Sequence, residues 1–189
     1  MIGDDSQSCF YDVVWEDLLC KSEIEDIHSL AQNFDVVRGG TLHDELKIRK
    51  SNIRWLEYNE ETKWIYDKVT NAAKTINDEN FKFELIGAQP FQYTEYDSSE
   101  LAEYGWHIDL LNDTQSDSRK LSIVILLSDK SDFSGGSLLV SPTGSTPKEL
   151  LMKPGRMVVF PSWMPHCVTP VLEGKRVSLV MWLYGRRFR

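Results

Sequence analysis

Cysteines and long apolar runs are both scarce in this sequence. The three cysteines, Cys9, Cys20 and Cys167, are odd in number and lie far apart, which argues against a disulfide framework and favours a reducing compartment. No uncharged apolar run is long enough to span a bilayer, and acidic residues interrupt the N-terminal segment where a signal peptide would need an apolar core. These absences predict a soluble, cytoplasmic protein that does not contact a membrane.

An excess of positive charge is also missing. The 21 Lys and Arg residues are outnumbered by 29 Asp and Glu residues, which gives a formal net charge of -8. A nucleic-acid partner is therefore not expected. Three arginines near the C-terminus, Arg186, Arg187 and Arg189, are interpreted as a solvated basic tail over residues 186–189, with a contact to an acidic partner as the alternative.

The 189 residues contain no internal repeat and no linker, which predicts a single domain whose residues 1–80 form a helical buttress and the first strands. Ser22 and Glu25 make a capping-box pattern ahead of an apolar stripe that suits a short amphipathic helix. A second apolar stripe predicts a longer helix over 60–76. The segment 36–52 has no clear period and is either a pair of strands or a loop.

The second half of the sequence has a β texture. Short runs of branched and aromatic residues alternate with clusters of turn residues. Many short strands favour a sandwich or barrel over a parallel sheet, so the fold is predicted to be mainly β with N-terminal helices. Strands are predicted at 81–86, 91–96, 105–110, 120–127, 137–140, 156–160, 166–170 and 176–183.

Two of the four histidines belong to a pattern of residues that could bind a metal ion. His107 and Asp109 are two positions apart, so on a strand their side chains share one face. His166 lies at the start of a later predicted strand, and two imidazoles with one carboxylate leave one face of an iron(II) ion open. The His-x-Asp pattern alone is weak, because such pairs are often ordinary hydrogen-bonded neighbours. The other two histidines, His28 and His43, are interpreted as surface residues.

Arg176 strengthens this interpretation. Alternation along its strand places Arg176, Ser178, Val180 and Trp182 on one face. An arginine that points into an apolar barrel is costly unless it meets an anion, and a guanidinium pairs well with the far carboxylate of a dicarboxylic acid. The alternative is that Arg176 points outward to an acidic side chain.

Taken together and in order, these motifs resemble the 2-oxoglutarate and iron(II)-dependent oxygenases, in particular the prolyl 4-hydroxylase-like branch and its small bacterial and bacteriophage members. Residues 104–109 resemble the Tyr-x-x-His-x-Asp segment of that branch, and 134–138 its Gly-Gly turn. Residues 153–160 resemble the strand before the distal histidine, and 166–176 the distal ligand and the arginine that follows it. The resemblance covers roughly residues 91–185.

The resemblance implies a fold, cofactors and a reaction. The implied fold is a double-stranded β-helix, the jelly-roll barrel of cupin-like proteins, with the catalytic part at 81–185. The implied requirements are iron(II), 2-oxoglutarate as cosubstrate and oxygen, with ascorbate as a candidate reductant. The implied reaction is dioxygenase hydroxylation of an unactivated C–H bond, and this branch favours a prolyl residue in a peptide or protein as substrate.

The resemblance also implies roles for individual residues. His107, Asp109 and His166 are the implied metal ligands. Arg176 is implied to bind the 5-carboxylate of 2-oxoglutarate, with Ser178 close to it.

Three aromatic residues are implied to line the site. Tyr96 resembles a tyrosine that precedes the metal strand and faces the cosubstrate, whereas Tyr104 and Trp182 resemble residues on the substrate side. Aromatic residues on barrel strands are also common in cores. One departure bears on the cosubstrate, because the strand at 122–126 lacks the tyrosine that some members use for its carboxylate.

Three other functions stay open at this point. The same chemistry could act on a free amino acid, a small metabolite or a nucleobase. The chain could instead be a non-catalytic metal-binding jelly roll, or an unrelated sandwich whose histidines are core residues. Asp109 argues against a halogenase, which needs that coordination position for halide. The sequence gives no indication of the oligomeric state.

Overall fold

The computed structural model describes residues 12–39, 48–110, 117–142 and 146–187. Within these ranges there are two α-helices, α1 (Lys21–Ala31) and α2 (Lys63–Ile76). The strands are β1 (Val13–Trp15), β2 (Val37–Arg38), β3 (Asn52–Leu56), β4 (Gly87–Ala88), β5 (Phe91–Asp97), β6 (Tyr104–His107), β7 (Asp117–Leu126), β8 (Phe133–Gly135), β9 (Leu138–Val140), β10 (Lys148–Leu150), β11 (Met157–Pro161), β12 (His166–Val168) and β13 (Val171–Arg186).

The strands form two antiparallel sheets. The larger sheet has the order β1-β11-β7-β13-β5-β3-β2, with β4 and β8 also paired to β13. The smaller sheet has the order β10-β9-β12-β6. An apolar cluster that draws on both sheets fills the space between them, so the fold is a double-stranded β-helix, as predicted.

Strict alternation on β7 and β13 builds two separate cores. Leu121, Ile123 and Ile125 of β7 belong to the cluster that faces the helices, whereas Val124 and Leu126 belong to the cluster between the sheets. Side chains of successive strand residues point to opposite faces, so a strand covered on both sides is apolar on both. The large sheet therefore separates a structural core from the interior of the barrel.

The two helices cover the outer face of the large sheet. Ile27 of α1 and Ile65 and Val69 of α2 are fully buried in the same cluster as the outward-facing residues of β7 and β13. The apolar stripe read from the sequence is thus the packing face of α2. In the part of the chain that the structure describes, neither helix is long and apolar enough to cross a membrane.

Both helix starts differ from the sequence prediction. The residue before α1 is Cys20, whose backbone N–H donates to Glu23 Oε2 at 2.8 Å, so the cap involves Cys20 and Glu23 rather than Ser22 and Glu25. The longer helix begins at Lys63, three residues after the predicted start at 60. Asn59 and Thr62 hold the preceding turn through side-chain hydrogen bonds to backbone N–H groups, a local alternative to helical pairing.

The strand predicted at 81–86 is wrong. Helix α2 continues into a π-helical turn, Asn77–Phe81, that ends at Lys82 with a φ of 58°. The Asn77 side chain bonds both backbone groups of Phe83, at 3.0 Å each. These hydrogen bonds occupy backbone groups that a strand would use for pairing, and the chain next pairs only at β4.

Several other predicted boundaries change. The segment 36–52 contains β2 and the first residue of β3, with 40–47 outside the described residues. Arg186, predicted as part of a basic tail, is the last residue of β13 and lies 3.7 Å from Glu84. Arg189 lies outside the described residues. The division of the chain into a buttress and a catalytic part stays a prediction.

Candidate active site

Three side chains with metal-binding atoms converge at one end of the barrel. His107 ends β6 and His166 begins β12, and the two residues are paired partners in the small sheet. Asp109 Oδ1 lies 3.6 Å from His107 Nε2, and Asp109 Oδ2 lies 3.4 Å from His166 Nε2. All three candidate ligand atoms lie within 4.8 Å of one another, which is a spacing that one metal ion could bridge.

The route by which Asp109 reaches this point differs from the prediction. Strand β6 ends at His107, so Asp109 follows the strand instead of sharing its face. Its backbone N–H donates to the Ser162 carbonyl at 2.9 Å, and Ser122 Oγ donates to its Oδ2 at 2.7 Å. Ser162 Oγ lies 3.1 Å from Ser122 Oγ. Ser122 of β7 and Ser162, which follows the neighbouring strand β11, thus orient Asp109.

Backbone carbonyls orient the two imidazoles. His107 Nδ1 lies 2.8 Å from the Gly105 carbonyl, and His166 Nδ1 lies 2.9 Å from the Met164 carbonyl. A carbonyl only accepts, so each Nδ1 carries a proton, and the neutral form of each ring keeps its lone pair on Nε2. The lone pairs point to the side where Asp109 lies, which is the arrangement that a metal-binding histidine needs.

Burial and mutual charge shift the pKa values of the triad. Burial lowers the pKa of His107 to about 4, and repulsion by His166 adds to this effect. Burial opposes ionisation of both other groups, but the attraction between them prevails: it raises the pKa of His166 and lowers that of Asp109. At neutral pH His107 is neutral and Asp109 is ionised, as metal binding requires, whereas a metal would have to displace the proton that Asp109 stabilises on His166.

Arg176 is the largest fully buried side chain and lies in the same pocket. It is 1% exposed, and its Nη1 donates to Ser178 Oγ at 3.1 Å. Its Nη2 is buried and has no hydrogen-bond partner among the residues that the structure describes. Burial lowers the pKa of the guanidinium. A buried cation with an unpaired donor fits an anionic ligand in the pocket, such as the carboxylate of 2-oxoglutarate.

Strand β13 delivers this arginine by the predicted alternation. Arg176, Ser178, Val180 and Trp182 all line the pocket. The intervening residues Val177, Leu179, Met181 and Leu183 all belong to the cluster under the helices. The prediction that these two sets occupy opposite faces is confirmed.

The three aromatic residues named from the sequence also line the pocket. The Tyr104 ring stacks on the His107 ring with centroids 3.5 Å apart, and burial raises the pKa of Tyr104 to about 12. The Arg176 guanidinium lies 5.5 Å from the centroid of the Tyr96 ring. The Trp182 indole nitrogen is buried and makes no hydrogen bond of normal geometry to a described residue. Its N–H group nevertheless points towards Asp109 closely enough to help lower the pKa of that carboxyl.

Four further residues at the site were missed. Gln92 and Thr94 share a face of β5 with Tyr96 and line the pocket, so the period-two rule that served for β13 would have found them. Arg49 lines the pocket and pairs through its backbone with Tyr104. Arg119 of β7 stacks on Trp182. No local sequence pattern predicts that these two arginines lie at the site, because they are brought there by contacts with Tyr104 and Trp182, which are distant in sequence.

Comparison with known families gives a match over the β half of the chain. Residues 91–184, about half of the chain, match the model of the 2OG-Fe(II) oxygenase superfamily. This family takes its name from iron(II) and 2-oxoglutarate, and the His-Asp-His cluster with the unpaired guanidinium of Arg176 fits both.

Curated relatives carry the name PKHD-type hydroxylase. The one from Synechococcus sp. (strain CC9605) is 42% identical over 87 residues, which is 46% of this chain and 38% of the relative. The PKHD-type hydroxylase YbiX of Shigella boydii serotype 18 is 35% identical over 95 residues, which is 48% of this chain and 41% of the relative. The matches thus span well under half the length of these relatives.

Solved structures of similar fold include prolyl hydroxylases. A Pseudomonas putida prolyl-4-hydroxylase superposes with a TM-score of 0.71 at 19% identity, covering 95% of this chain and 94% of that chain. A Trichoplax adhaerens prolyl hydroxylase, solved with a peptide fragment of hypoxia inducible factor, superposes with a TM-score of 0.76 at 19% identity. The superposition covers 92% of this chain and 83% of that chain. With a matching family model and the same barrel, this chain belongs to the 2OG-Fe(II) oxygenase superfamily.

Proposed function

We propose that this protein is an iron(II)- and 2-oxoglutarate-dependent dioxygenase that hydroxylates an unactivated C–H bond, with a prolyl residue of a peptide or protein as the substrate. One observation carries the proposal. A His-Asp-His cluster and a buried arginine with an unpaired donor line the same pocket. The fold shared with prolyl hydroxylases supports the choice of substrate.

His107, Asp109 and His166 are the residues that we assign to the metal. Their Nε2 and carboxylate oxygen atoms face one another, and the carbonyl and serine hydrogen bonds behind them fix their orientation. Such supporting hydrogen bonds raise metal affinity, because the ligands do not have to be reordered on binding.

Arg176 is the residue that we assign to the far carboxylate of 2-oxoglutarate, with Ser178 and Tyr96 beside it. When bound, iron(II) and 2-oxoglutarate would supply the oxidising chemistry, in which oxygen, the cosubstrate and the substrate yield succinate, carbon dioxide and the hydroxylated product. Ascorbate would serve as a reductant that keeps the metal in its ferrous state.

Tyr104 and Trp182 are the residues that we assign to the substrate side of the pocket. Tyr104 covers His107, so its ring limits the approach to the metal-binding atoms from that side. Trp182 closes the adjacent wall next to Val180. An apolar wall positions a C–H bond and excludes water from the reacting atoms.

Anaerobic titration tests the proposal directly. Iron(II) followed by 2-oxoglutarate should give the visible charge-transfer band of a chelated 2-oxo acid, and His166→Ala should remove it. The exposed Lys21→Ala change is the matched control and should leave the band intact. Metal binding without a band on addition of 2-oxoglutarate would reject the proposed cosubstrate.

A further inference from the structure

Arg49 brings a second positive charge to the pocket. Its Nε donates to Ser51 Oγ at 2.8 Å and its Nη2 to Gln92 Oε1 at 2.6 Å. Its guanidinium carbon lies 4.6 Å from the centroid of the Tyr104 ring. These neutral contacts fix the direction of the guanidinium without neutralising its charge.

Arg119 brings a third positive charge next to the pocket, against the Trp182 side chain that lines it. Its guanidinium carbon lies 3.8 Å from the centroid of the Trp182 ring, and its Nε donates to Gln89 Oε1 at 2.8 Å. Its two terminal nitrogens make no hydrogen bond to any residue that the structure describes. An aromatic ring and one amide thus hold a guanidinium whose outer donors are available to a ligand.

The charges around the pocket do not balance. Across the described ranges, no carboxylate forms an ion pair with Arg49, Arg119 or Arg176. Among the described residues that line the pocket, Asp109 is the one carboxylate, and it faces the two histidines.

Binding of the cofactors would leave this imbalance in place. The formal charges of iron(II) and of the 2-oxoglutarate dianion cancel, and those of Asp109 and Arg176 cancel as well. The charges of Arg49 and Arg119 remain, in a protein whose formal net charge is -8. Buried or half-buried cations without an anion are costly, so these two arginines indicate an anionic ligand that is not the cosubstrate.

We infer that Arg49 and Arg119 bind a carboxylate of the substrate, close to the carbon that is hydroxylated. This inference rests on the proposed function and narrows its substrate class. The guanidinium fork matches the two oxygens of a carboxylate. Three sources offer that group next to a proline ring: a free amino acid, a C-terminal prolyl residue, or an acidic residue that follows the proline in a peptide.

Calorimetric titration of protein loaded with Mn(II) and 2-oxoglutarate tests the inference with three matched pairs of ligands. The pairs are L-proline and L-prolinamide, Gly-Pro with a free or an amidated C-terminus, and capped Ala-Pro-Asp-Ala and Ala-Pro-Asn-Ala. In at least one pair the anionic member should bind at least about tenfold more tightly, the effect of one charge-assisted hydrogen bond. The pair that shows the preference identifies the source of the carboxylate.

Arginine variants link the preference to the two residues. Arg49→Gln and Arg119→Gln should each reduce the preference for the anionic ligand several-fold. Arg119→Lys should keep more of this preference than Arg119→Gln, because lysine keeps the positive charge but not the two-pronged geometry of the guanidinium. Arg38→Gln is the control, since Arg38 lies on β2, is paired with Glu100 and does not line the pocket. Each variant is first shown to keep the iron–2-oxoglutarate band, which reports an intact site.

The outcomes separate this inference from the proposed function. Equal affinity within every pair, no binding by any anionic member, or an unchanged preference in both glutamine variants would overturn the assignment of Arg49 and Arg119. Wild-type protein that gives no iron–2-oxoglutarate band would instead reject the proposed function, before any substrate is added.

Discussion

Arg176 places a fully buried guanidinium in the wall of the pocket. Within the described part of the chain, Ser178 is the one hydrogen-bond partner of this guanidinium, and Nη2 is unpaired. A buried cation costs free energy in the absence of an anion, so its retention is explained by ligand binding better than by stability. The serine fixes the direction of the guanidinium, which lowers the entropic cost of binding a carboxylate.

Arg176→Gln should therefore weaken 2-oxoglutarate binding by about 2 to 4 kcal/mol, the usual cost of removing one partner of a buried charge pair. Metal affinity should not change, because Arg176 does not contact the triad in the described structure. The measurement is an anaerobic titration of 2-oxoglutarate followed by the charge-transfer band. Unchanged affinity would remove Arg176 from the cosubstrate site.

His28 was interpreted as a surface residue and is half-buried instead. Its Nδ1 lies 2.8 Å from the Tyr93 hydroxyl, and the two rings meet edge to face. Burial lowers the pKa of His28. The apolar period of α1 did not predict this contact, because the partner is 65 residues away on β5.

The lowered pKa of His28 gives the stability a predictable pH dependence. As the pH falls, His28 of the unfolded chain takes up a proton near its ordinary pKa of about 6.5, whereas His28 of the folded protein does so only at a lower pH. The free energy of unfolding therefore falls as the pH falls through about 6.5. His28→Gln should lose less stability than wild type between pH about 7.5 and about 5.5. Urea unfolding of both proteins at the two pH values measures the difference, and equal losses would contradict the prediction.

The placement of the triad relative to Arg176 depends on how whole strands pack and not on single residues. Strands β6 and β12 of the small sheet carry the histidines, whereas β13 of the large sheet carries the arginine. At the turn from β8 to β9, Gly135 ends β8 and Gly136 follows it, both with positive φ. A Cβ atom at Gly136 would lie 2.8 Å from Arg176 Cδ, so this turn controls the space behind the arginine.

Gly136→Ala should displace the Arg176 side chain and weaken 2-oxoglutarate binding, besides destabilising the fold by about 1 to 3 kcal/mol through backbone strain. Gly135→Ala is the matched control, because its φ is similar but its Cβ would meet the Pro170 carbonyl, at 2.3 Å. We expect it to destabilise the fold with little effect on the affinity for 2-oxoglutarate. Thermal unfolding and cosubstrate titration of both variants measure the two effects, and equal affinities in the two variants would contradict this role of the turn.

At the scale of the whole molecule, the candidate site joins the two sheets. Asp109 follows a strand of the small sheet, but its hydrogen bonds are to the large sheet. It accepts one from Ser122 in β7 and donates one to the carbonyl of Ser162, which follows β11. Arg176 faces the same pocket from β13. A metal with 2-oxoglutarate would therefore bind groups from both sheets, and ligands that bind only the folded state stabilise it.

Mn(II) should raise the melting temperature, and 2-oxoglutarate should raise it further only when the metal is present. At about 100 times its dissociation constant, a ligand adds about 2.7 kcal/mol, which is roughly 5 to 10 °C for a chain of this size. In Arg176→Gln the increment from the metal should persist and the increment from 2-oxoglutarate should disappear. Stabilisation by 2-oxoglutarate without metal would place its binding site elsewhere.

The sequence by itself determined the fold class, the apolar stripe of α2, the two faces of β13 and the residue types of the site. These features follow from local periodicity, because a strand or helix fixes which neighbours share a face. The ordered motifs from Tyr104 to Arg176 likewise depend only on spacing along the chain. The assignment of ligand roles to these residues stays a prediction.

Only the tertiary structure decided how Asp109 reaches the histidines, which serines hold it, that Arg49 lines the pocket, and that Arg119 stacks on Trp182 in the pocket wall. It also decided that the chain after α2 forms a π-helical turn instead of a strand. Each of these features depends on hydrogen bonds or packing that a periodic pattern does not encode, often with partners distant in sequence. Such contacts form only when the two sheets close around a common interior.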